Sequence, residues 1–301
     1  ENRLQRAAGG PSETETRVSQ VETTFLRLRG TVHPMPDNDW INGGALATWG
    51  DDLLVIHSSG RILLLEDGSG LRDLPIGVPD NGRDAYRALA GQAAWKAYTH
   101  KPDKMRFNDL LHVRDGDLSG LALSYTFFDP DRTCYGTRVA WLPVEPGGTA
   151  RDLDAGPEDW RILFETTPCL ELNPGWTALD GQMAGGRMAY RGAGRLILGS
   201  GEYHLDGVHT YDVGIQSDET DYGKVIEIDL SSGAARHVSK GHRNMQGVVV
   251  DRRNRIWVTE HAVRGGDELN LVQEGRNYGW PLESLGTLYS GQPFPTAGEQ
   301  G

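Results

Sequence analysis

The sequence has little cysteine, no long apolar run and no excess of positive charge. Its two cysteines, Cys134 and Cys169, have no histidine clustered beside them, which argues against a zinc site. No apolar run approaches the roughly 18 residues of a membrane-spanning helix, so no membrane span is predicted. The net charge is −12 at pH 7. This charge argues against nucleic acid and anionic membranes as partners, and it is compatible with cations or neutral small molecules.

The isolated cysteine pair has two readings. A disulfide would suit an oxidising compartment, whereas two buried free thiols would suit any compartment. The sequence leaves both readings open, and we favour the disulfide.

The 301 residues include 40 glycines, 15 prolines and 8 tryptophans. Short apolar runs separated by glycine-rich turns favour an all-β architecture. A pattern of three short strands occurs four times along the chain. Such a repeat predicts the blades of a β-propeller rather than a β-sandwich. The predicted blades cover residues of about 42–67, 107–144, 185–230 and 246–273.

Two segments depart from this repeat. Residues 1–23 are polar and predict a flexible N-terminal segment ahead of a propeller domain at 24–301. The alanine-rich run from Asp84 to Tyr98 predicts a helix inserted between two blades, with Asp84 as its N-cap.

The organising stretch of the chain runs from Lys240 to Pro281. It contains the strings GHRN-x-QG, TEH, GGDELNL and G-x-NYGWP around two predicted strands. These strings resemble the soluble glucose and aldose sugar dehydrogenases that use pyrroloquinoline quinone (PQQ). The specific resemblance covers roughly a third of the chain, with weaker matches at Gly185–Arg187 and Tyr222–Val225.

The resemblance implies a six-bladed antiparallel β-propeller with PQQ above its central channel. The family positions for contacts to the cofactor are here Arg243, Asn244, Gln246, His261, Ala262 and Val263. Arginine suits such a role because its planar, permanently charged fork matches a carboxylate. A structural salt bridge to a neighbouring blade is the alternative role for Arg243.

Calcium is implied by the same resemblance. The backbone carbonyls at Ala262 and Val263 stand where relatives bind a Ca²⁺ that also contacts PQQ, although relatives usually have Gly-Pro there. A second Ca²⁺ is implied at the Glu268 carboxylate and the Tyr278 backbone, because Ca²⁺ prefers hard oxygen ligands. A solvated turn is the alternative reading of Asp267 and Glu268.

The catalytic base departs from the family pattern. Met183 occupies the position of the family's histidine base, and a thioether cannot accept the proton of a sugar hydroxyl. The partner carboxylate corresponds to Glu202. His204 and His209 lie in the adjacent loop and are the candidate substitutes for the base, with exposed loop histidines as the alternative reading.

These features predict a PQQ- and Ca²⁺-dependent dehydrogenase that oxidises aldoses at C1, slowly because of Met183. The alternative is a non-catalytic, Ca²⁺-stabilised propeller that binds a carbohydrate or a protein. With four visible repeats we expect an incomplete propeller, completed by further C-terminal blades or by self-association. The resemblance also implies an electron acceptor, a periplasmic or extracellular location, and a Cys134–Cys169 disulfide that links neighbouring blades.

Overall fold

The computed structural model describes residues 17–33, 44–66, 70–90, 105–172, 182–206 and 214–293. An N-terminal hairpin comes first, from β1 (Arg17–Glu22) and β2 (Arg27–Val32). This hairpin is exposed on both faces from residue 18 to residue 32. No helix among the described residues is long and apolar enough to span a membrane.

Four antiparallel sheets follow in chain order. The first blade has four strands: β3 (Gly44–Trp49), β4 (Asp52–His57), β5 (Ile62–Glu66) and β6 (Gly70–Asp73). The second has five strands: β7 (Phe107–Asp115), β8 (Leu118–Asp129), β9 (Cys134–Pro143), β10 (Arg161–Glu165) and β11 (Leu170–Glu171). In this second blade both β10 and β11 pair with β9.

The third blade has four strands and the fourth has three. The third consists of β12 (Gly185–Gly192), β13 (Arg195–Ser200), β14 (Lys224–Asp229) and β15 (Ala235–Lys240). The fourth consists of β16 (Met245–Val250), β17 (Ile256–Glu260) and β18 (Glu268–Val272). Two short 3-10 helices lie at Pro157–Asp159 and Gly214–Gln216.

The blades are arranged side by side around their first strands. Strand β7 contacts β3 on one side and β12 on the other, and β12 also contacts β16. Separate apolar clusters fill the space between the first and second, second and third, and third and fourth blades. A further cluster combines residues of helix, strand-end and loop segments, including Tyr86, Tyr203 and Trp280.

Polar contacts also join the second and third blades. The carboxylate of Asp109 on β7 accepts a hydrogen bond from the Met188 amide on β12 over 2.7 Å. The Ser124 hydroxyl on β8 donates to the Gly186 carbonyl. Burial raises the pKa of Asp109, against the lowering effects of the Met188 amide and of Arg187. Buried polar groups of neighbouring blades therefore satisfy one another.

The predicted all-β class and the antiparallel propeller arrangement are confirmed, with four blades in the described part of the chain. Closure into six blades stays a prediction. The sequence missed the outer strands β6, β10, β11 and β15, although it predicted three strands in every blade. The outer strands are short or carry exposed polar residues, as in β15 (ARHVSK), so they lack a strong apolar pattern.

The predicted inserted helix is present as α1 (Arg83–Ala90). It begins one residue earlier than predicted: Asp84 lies in its first turn, and the Tyr86 amide donates to the Gly82 carbonyl. The remainder of the predicted helix, 91–98, lies outside the described residues. The predicted flexible N-terminal segment, residues 1–23, includes strand β1. Residues 1–16 lie outside the described part of the chain. The domain boundary predicted at residue 24 stays a prediction.

The disulfide between Cys134 and Cys169 is confirmed, with a Cα–Cα distance of 5.6 Å. The prediction that it links neighbouring blades is wrong. Cys134 begins β9, and Cys169 directly precedes β11, which pairs with β9 in register Leu170↔Tyr135. The chain returns to its own sheet between the two cysteines, so the bond lies within the second blade.

Candidate functional site

The GHRN loop is held against the NYGWP turn by a close backbone approach. Gly241 has φ 77°, and a Cβ there would lie 2.1 Å from the Asn277 side-chain oxygen. The Trp280 amide donates to the Gly241 carbonyl over 3.0 Å. Only glycine combines this left-handed conformation with this close contact. The two motifs of the sequence therefore form one structural unit.

A buried pair of side chains anchors this loop to the end of β17. His242 Nδ1 lies 2.9 Å from Glu260 Oε1, and His242 Nε2 lies 2.8 Å from the Ser239 hydroxyl. The other Glu260 oxygen accepts the Arg243 amide over 2.9 Å. Burial raises the pKa of Glu260, but the His242 hydrogen bond and charge and the Arg243 amide outweigh it, so this pKa is lowered. Glu260 therefore fixes the backbone that carries Arg243.

Arg243 is 4% exposed and faces two backbone carbonyls. Its Nη1 donates to the His261 oxygen over 2.9 Å and to the Ala262 oxygen over 2.6 Å. Its guanidinium carbon lies 5.1 Å from the centre of the Trp280 ring, within cation–π range. Its Nε is buried and has no hydrogen-bond partner among the residues that the structure describes. Within the described part of the chain, the guanidinium therefore keeps one buried donor without an acceptor.

Five predicted site residues surround one pocket between β17 and the NYGWP turn. Arg243, His261, Ala262, Glu268 and Tyr278 all line it. The carboxylates of Glu260 and Glu283 line the same pocket. Their oxygens, with the backbone carbonyls, are the donor type that Ca²⁺ prefers.

Three predicted cofactor residues lie elsewhere. Gln246 lines a second cavity, between the starts of all four blades, together with Arg106 and Arg187. Its Nε2 donates to Asn244 Oδ1 over 2.8 Å, so Asn244 and Gln246 act as a pair. The Val263 side chain is buried in the apolar cluster that contains Trp280.

A second cluster of polar side chains follows β13. One ligand atom each of Glu202, His204 and Asp206 lies within 4.8 Å of the others. Glu202 and Asp206 are fully buried, and neither carboxylate oxygen of Glu202 has a hydrogen-bond partner of acceptable geometry in the described chain. Burial and the neighbouring Asp206 raise the pKa of Glu202 well above its usual range, and Arg243 and the backbone amides of His204 and Leu205 oppose them in part.

The two sites are connected through the backbone. The Glu202 amide donates to the Arg243 carbonyl over 2.9 Å, and the Tyr203 amide lies 3.3 Å from the Met183 carbonyl. Met183, at the predicted position of the family's base, therefore lies beside the turn that carries Glu202. The remaining catalytic candidate, His209, lies outside the described residues.

His242, Glu260 and Asp206 were not predicted as site residues from the sequence. Glu260 and His242 are 18 residues apart and meet only because the pairing of β16 with β17 places Met245 opposite Glu260. A signal for Asp206 was available, because Glu202, His204 and Asp206 alternate along the turn that follows β13.

Both site clusters lie in a part of the chain that matches a known protein family. The family model described as Glucose / Sorbosone dehydrogenase matches residues 149–301, which is half of the chain. The chain is a member of the glucose/sorbosone dehydrogenase family. The matched region contains the third and fourth blades and both site clusters.

Two similar proteins show how much of a relative's length the chain matches. It is 35% identical over 151 residues to the aldose sugar dehydrogenase YliI of Escherichia coli, covering 46% of this chain and 38% of that protein. It is 33% identical over 70 residues to quinoprotein glucose dehydrogenase B of Acinetobacter calcoaceticus, covering 20% and 15%. The matched region thus spans well under half the length of either relative.

Solved structures extend the likeness over most of the chain. The soluble aldose sugar dehydrogenase of Escherichia coli in its apo form matches with a TM-score of 0.63 and 27% identity, covering 84% of this chain and 67% of that one. The PQQ-bound form of aldose sugar dehydrogenase from Streptomyces coelicolor matches with a TM-score of 0.54 and 19% identity, covering 94% and 71%. At 19% identity, the match to the Streptomyces coelicolor structure supports the fold alone.

Proposed function

We propose that this chain is a PQQ- and Ca²⁺-dependent sugar dehydrogenase that oxidises aldoses at C1, at a low rate because Met183 replaces the base. The observation that carries the proposal is the buried Arg243, whose Nε has no partner among the described residues and whose Nη1 donates to the carbonyls of His261 and Ala262. An unpaired buried guanidinium nitrogen fits an anionic oxygen of a cofactor. PQQ, when bound, supplies the acceptor for the hydride that leaves C1.

The residues of the pocket have separate tasks in this proposal. Arg243 binds a cofactor oxygen, and Glu260 holds the Arg243 backbone in place through the amide hydrogen bond. Ca²⁺ would take oxygen ligands from the Ala262 and Val263 carbonyls, with a second ion at Glu268 and Tyr278. Met183 cannot hold a proton, because its side chain is a thioether. A sugar substrate and an electron acceptor are the partners that this reaction needs.

A PQQ titration followed by absorbance tests the cofactor. The wild type should bind PQQ in the presence of Ca²⁺, and Arg243→Met should weaken binding at least about tenfold, since it removes a charge-assisted hydrogen bond. Arg191→Met is the matched control, because Arg191 pairs with Glu227 and does not line the pocket. Equal affinity in Arg243→Met would remove Arg243 from the cofactor site.

Calcium is tested separately by melting curves with and without a chelator. A bound ion stabilises the folded state by mass action, so the wild type should melt at a higher temperature with Ca²⁺. Glu268→Gln should lose part of this increase, and Glu274→Gln should keep it, because Glu274 pairs with Arg236 on an exposed surface.

The second candidate function is a non-catalytic, Ca²⁺-stabilised propeller that binds a carbohydrate or a protein. Met183 favours it, because the thioether removes the proton acceptor. The combination of Ca²⁺-dependent stabilisation with no PQQ binding would select this function. For either function we propose a periplasmic or extracellular location, which the disulfide supports.

A further inference from the structure

We propose that Glu202, His204 and Asp206 bind one divalent transition-metal ion such as Zn²⁺. The three side chains come from one short turn after β13, and one ligand atom of each lies within 4.8 Å of the others. The site is separate from the Arg243 pocket, whose lining residues include none of the three. It does not rest on the proposed dehydrogenase function.

The Glu202 carboxylate is the observation that points to a ligand. It is fully buried, and neither of its oxygens has a hydrogen-bond partner of acceptable geometry in the described chain; the amides of His204 and Leu205 lie near enough only to oppose in part the effect of burial on its pKa. A buried carboxylate without partners is costly, and protein structures normally pair such a group or use it to coordinate a metal. The other two members of the cluster are the His204 imidazole and the Asp206 carboxylate, and both are side-chain types that commonly coordinate metals.

The spacing suits a small ion. Three ligand atoms of a tetrahedral Zn²⁺, each about 2.0–2.2 Å from the metal, lie roughly 3.4 Å from one another. The present separations of up to 4.8 Å therefore need a contraction of at most about 1.4 Å, which side-chain rotations can supply. Three protein ligands would leave a fourth position for water, as in an open zinc site.

The ligand set distinguishes this site from the calcium ligands proposed at Glu268. An imidazole nitrogen suits Zn²⁺, Fe²⁺ or Co²⁺, whereas Ca²⁺ takes six to eight oxygen ligands. Glu268 lies among carbonyl and carboxylate oxygens in the Arg243 pocket. The two sites should therefore select different metals in the same protein.

The site would also order the loop that carries Arg243. The Glu202 amide donates to the Arg243 carbonyl over 2.9 Å, so a metal that fixes Glu202 also fixes this hydrogen bond. Metal binding should for this reason protect the Arg243 loop from proteolysis even without a cofactor.

Titration of chelator-treated protein with Zn²⁺ alone, by calorimetry and elemental analysis, tests the proposal. The wild type should bind one equivalent at this site, and Glu202→Gln and His204→Ala should each weaken binding at least about tenfold. Glu268→Gln is the control and should keep the zinc affinity of the wild type. No zinc bound by the wild type, or unchanged affinity in Glu202→Gln, would overturn the proposal.

Cobalt provides a second measurement that does not depend on the fold of one variant. Co²⁺ in the wild type should give visible absorption bands of a nitrogen- and oxygen-ligated ion, and His204→Ala should lose them. Should Glu202→Gln not fold, Asp206→Asn replaces it in the titration, with circular dichroism as the check of folding. Co²⁺ bands that persist unchanged in His204→Ala would place the metal elsewhere and overturn the site. Because no PQQ is present in either experiment, failure here leaves the proposed dehydrogenase function untouched.

Discussion

The guanidinium of Arg243 donates a hydrogen bond to the carbonyl oxygen of Ala262 over 2.6 Å. The same carbonyl is the proposed ligand of a Ca²⁺ ion. A guanidinium and a calcium ion at one oxygen would bring two positive charges together in a pocket that is partly shielded from water. Binding of Ca²⁺ at this carbonyl therefore requires Arg243 to move toward another acceptor.

Removing the charge at Arg243 should accordingly strengthen Ca²⁺ binding in the absence of PQQ. We expect Arg243→Gln to bind Ca²⁺ about threefold to tenfold more tightly than the wild type, since relief of roughly 1 kcal/mol of repulsion corresponds to such a factor. Calorimetric Ca²⁺ titration measures it, with Arg236→Gln as a charge-matched control outside the pocket. Weaker Ca²⁺ binding in Arg243→Gln would show that guanidinium and ion do not compete.

The proposed replacement of the base by Met183 predicts a gain of activity when histidine is restored there. Met183 has φ 56°, a left-handed conformation in which histidine is more common than most residues, so Met183→His adds no backbone strain. A positioned general base contributes about 10²- to 10⁴-fold in rate. We expect Met183→His to increase dye reduction with an aldose and bound PQQ by up to this factor, whereas Met183→Leu should not. Wild-type activity equal to that of Met183→His would mean that another residue already serves as the base.

Lys224 predicts a rise in stability at alkaline pH. Its ammonium is fully buried and donates to the carbonyls of Ile215 and Tyr222, and burial lowers its pKa to about 8, aided by Lys240 and opposed by Asp218 and Asp221. The unfolded chain, with an ordinary lysine pKa of about 10.4, holds this proton longer than the folded one. Unfolding free energy should therefore gain up to about 1.4 kcal/mol per pH unit between pH 8 and 10.4.

The contribution of Lys224 is isolated by comparison with Lys224→Met. Buried tyrosines also titrate above pH 10, so the useful quantity is the difference between the two proteins in urea-unfolding free energy from pH 8 to 10. This difference should shift in favour of the wild type as the pH rises. Arg255→Met, which removes a guanidinium paired with Asp251 away from Lys224, is the control and should not change the pH slope in this way. Parallel pH curves for the wild type and Lys224→Met would contradict the prediction.

The disulfide predicts a loss of stability on its removal. Cys134 and Cys169 are 35 residues apart, and closing a loop of this length restricts the unfolded chain by about 3–4 kcal/mol. The double variant Cys134→Ser/Cys169→Ser should unfold at correspondingly lower urea concentration under non-reducing conditions. Reduced wild-type protein is the control and should behave like the variant. An unchanged unfolding midpoint would mean that the bond does not constrain the unfolded state.

The inner strands of each blade could be predicted from the sequence because their buried positions carry apolar residues in a clear pattern. Leu54 and Ile56 on β4, for example, alternate with less buried residues. The outer strands could not be predicted, because one side of each contacts solvent and their residues therefore lack a clear apolar pattern. Hydrogen bonding to the neighbouring strand involves the backbone and requires no particular residue types. The disulfide could be predicted as a pair, but its place within one blade depends on β11 returning to β9.

The site could be predicted from the sequence only where its residues lie within short recognisable motifs. Arg243, His261 and Ala262 come from two motifs at the ends of paired strands, and the structure brings them together. Glu260 was overlooked because a glutamate at the end of a strand commonly faces solvent, and its burial depends on His242 and Asn270 arriving from separate segments. The position of the Val263 side chain results from its burial in the same apolar cluster as Trp280. No local sequence pattern predicts this contact.

The hydrogen bond from the Met188 amide to the Asp109 carboxylate has a consequence for local opening of the molecule. Separating the second blade from the third would leave this carboxylate without its amide partner in a buried environment, so the opening is costly. The two blades should therefore exchange their amide hydrogens as one cooperative unit, with the Met188 amide among the slowest. The exposed β1–β2 hairpin, which has no such bond to a blade among the described residues, should exchange its amides orders of magnitude faster.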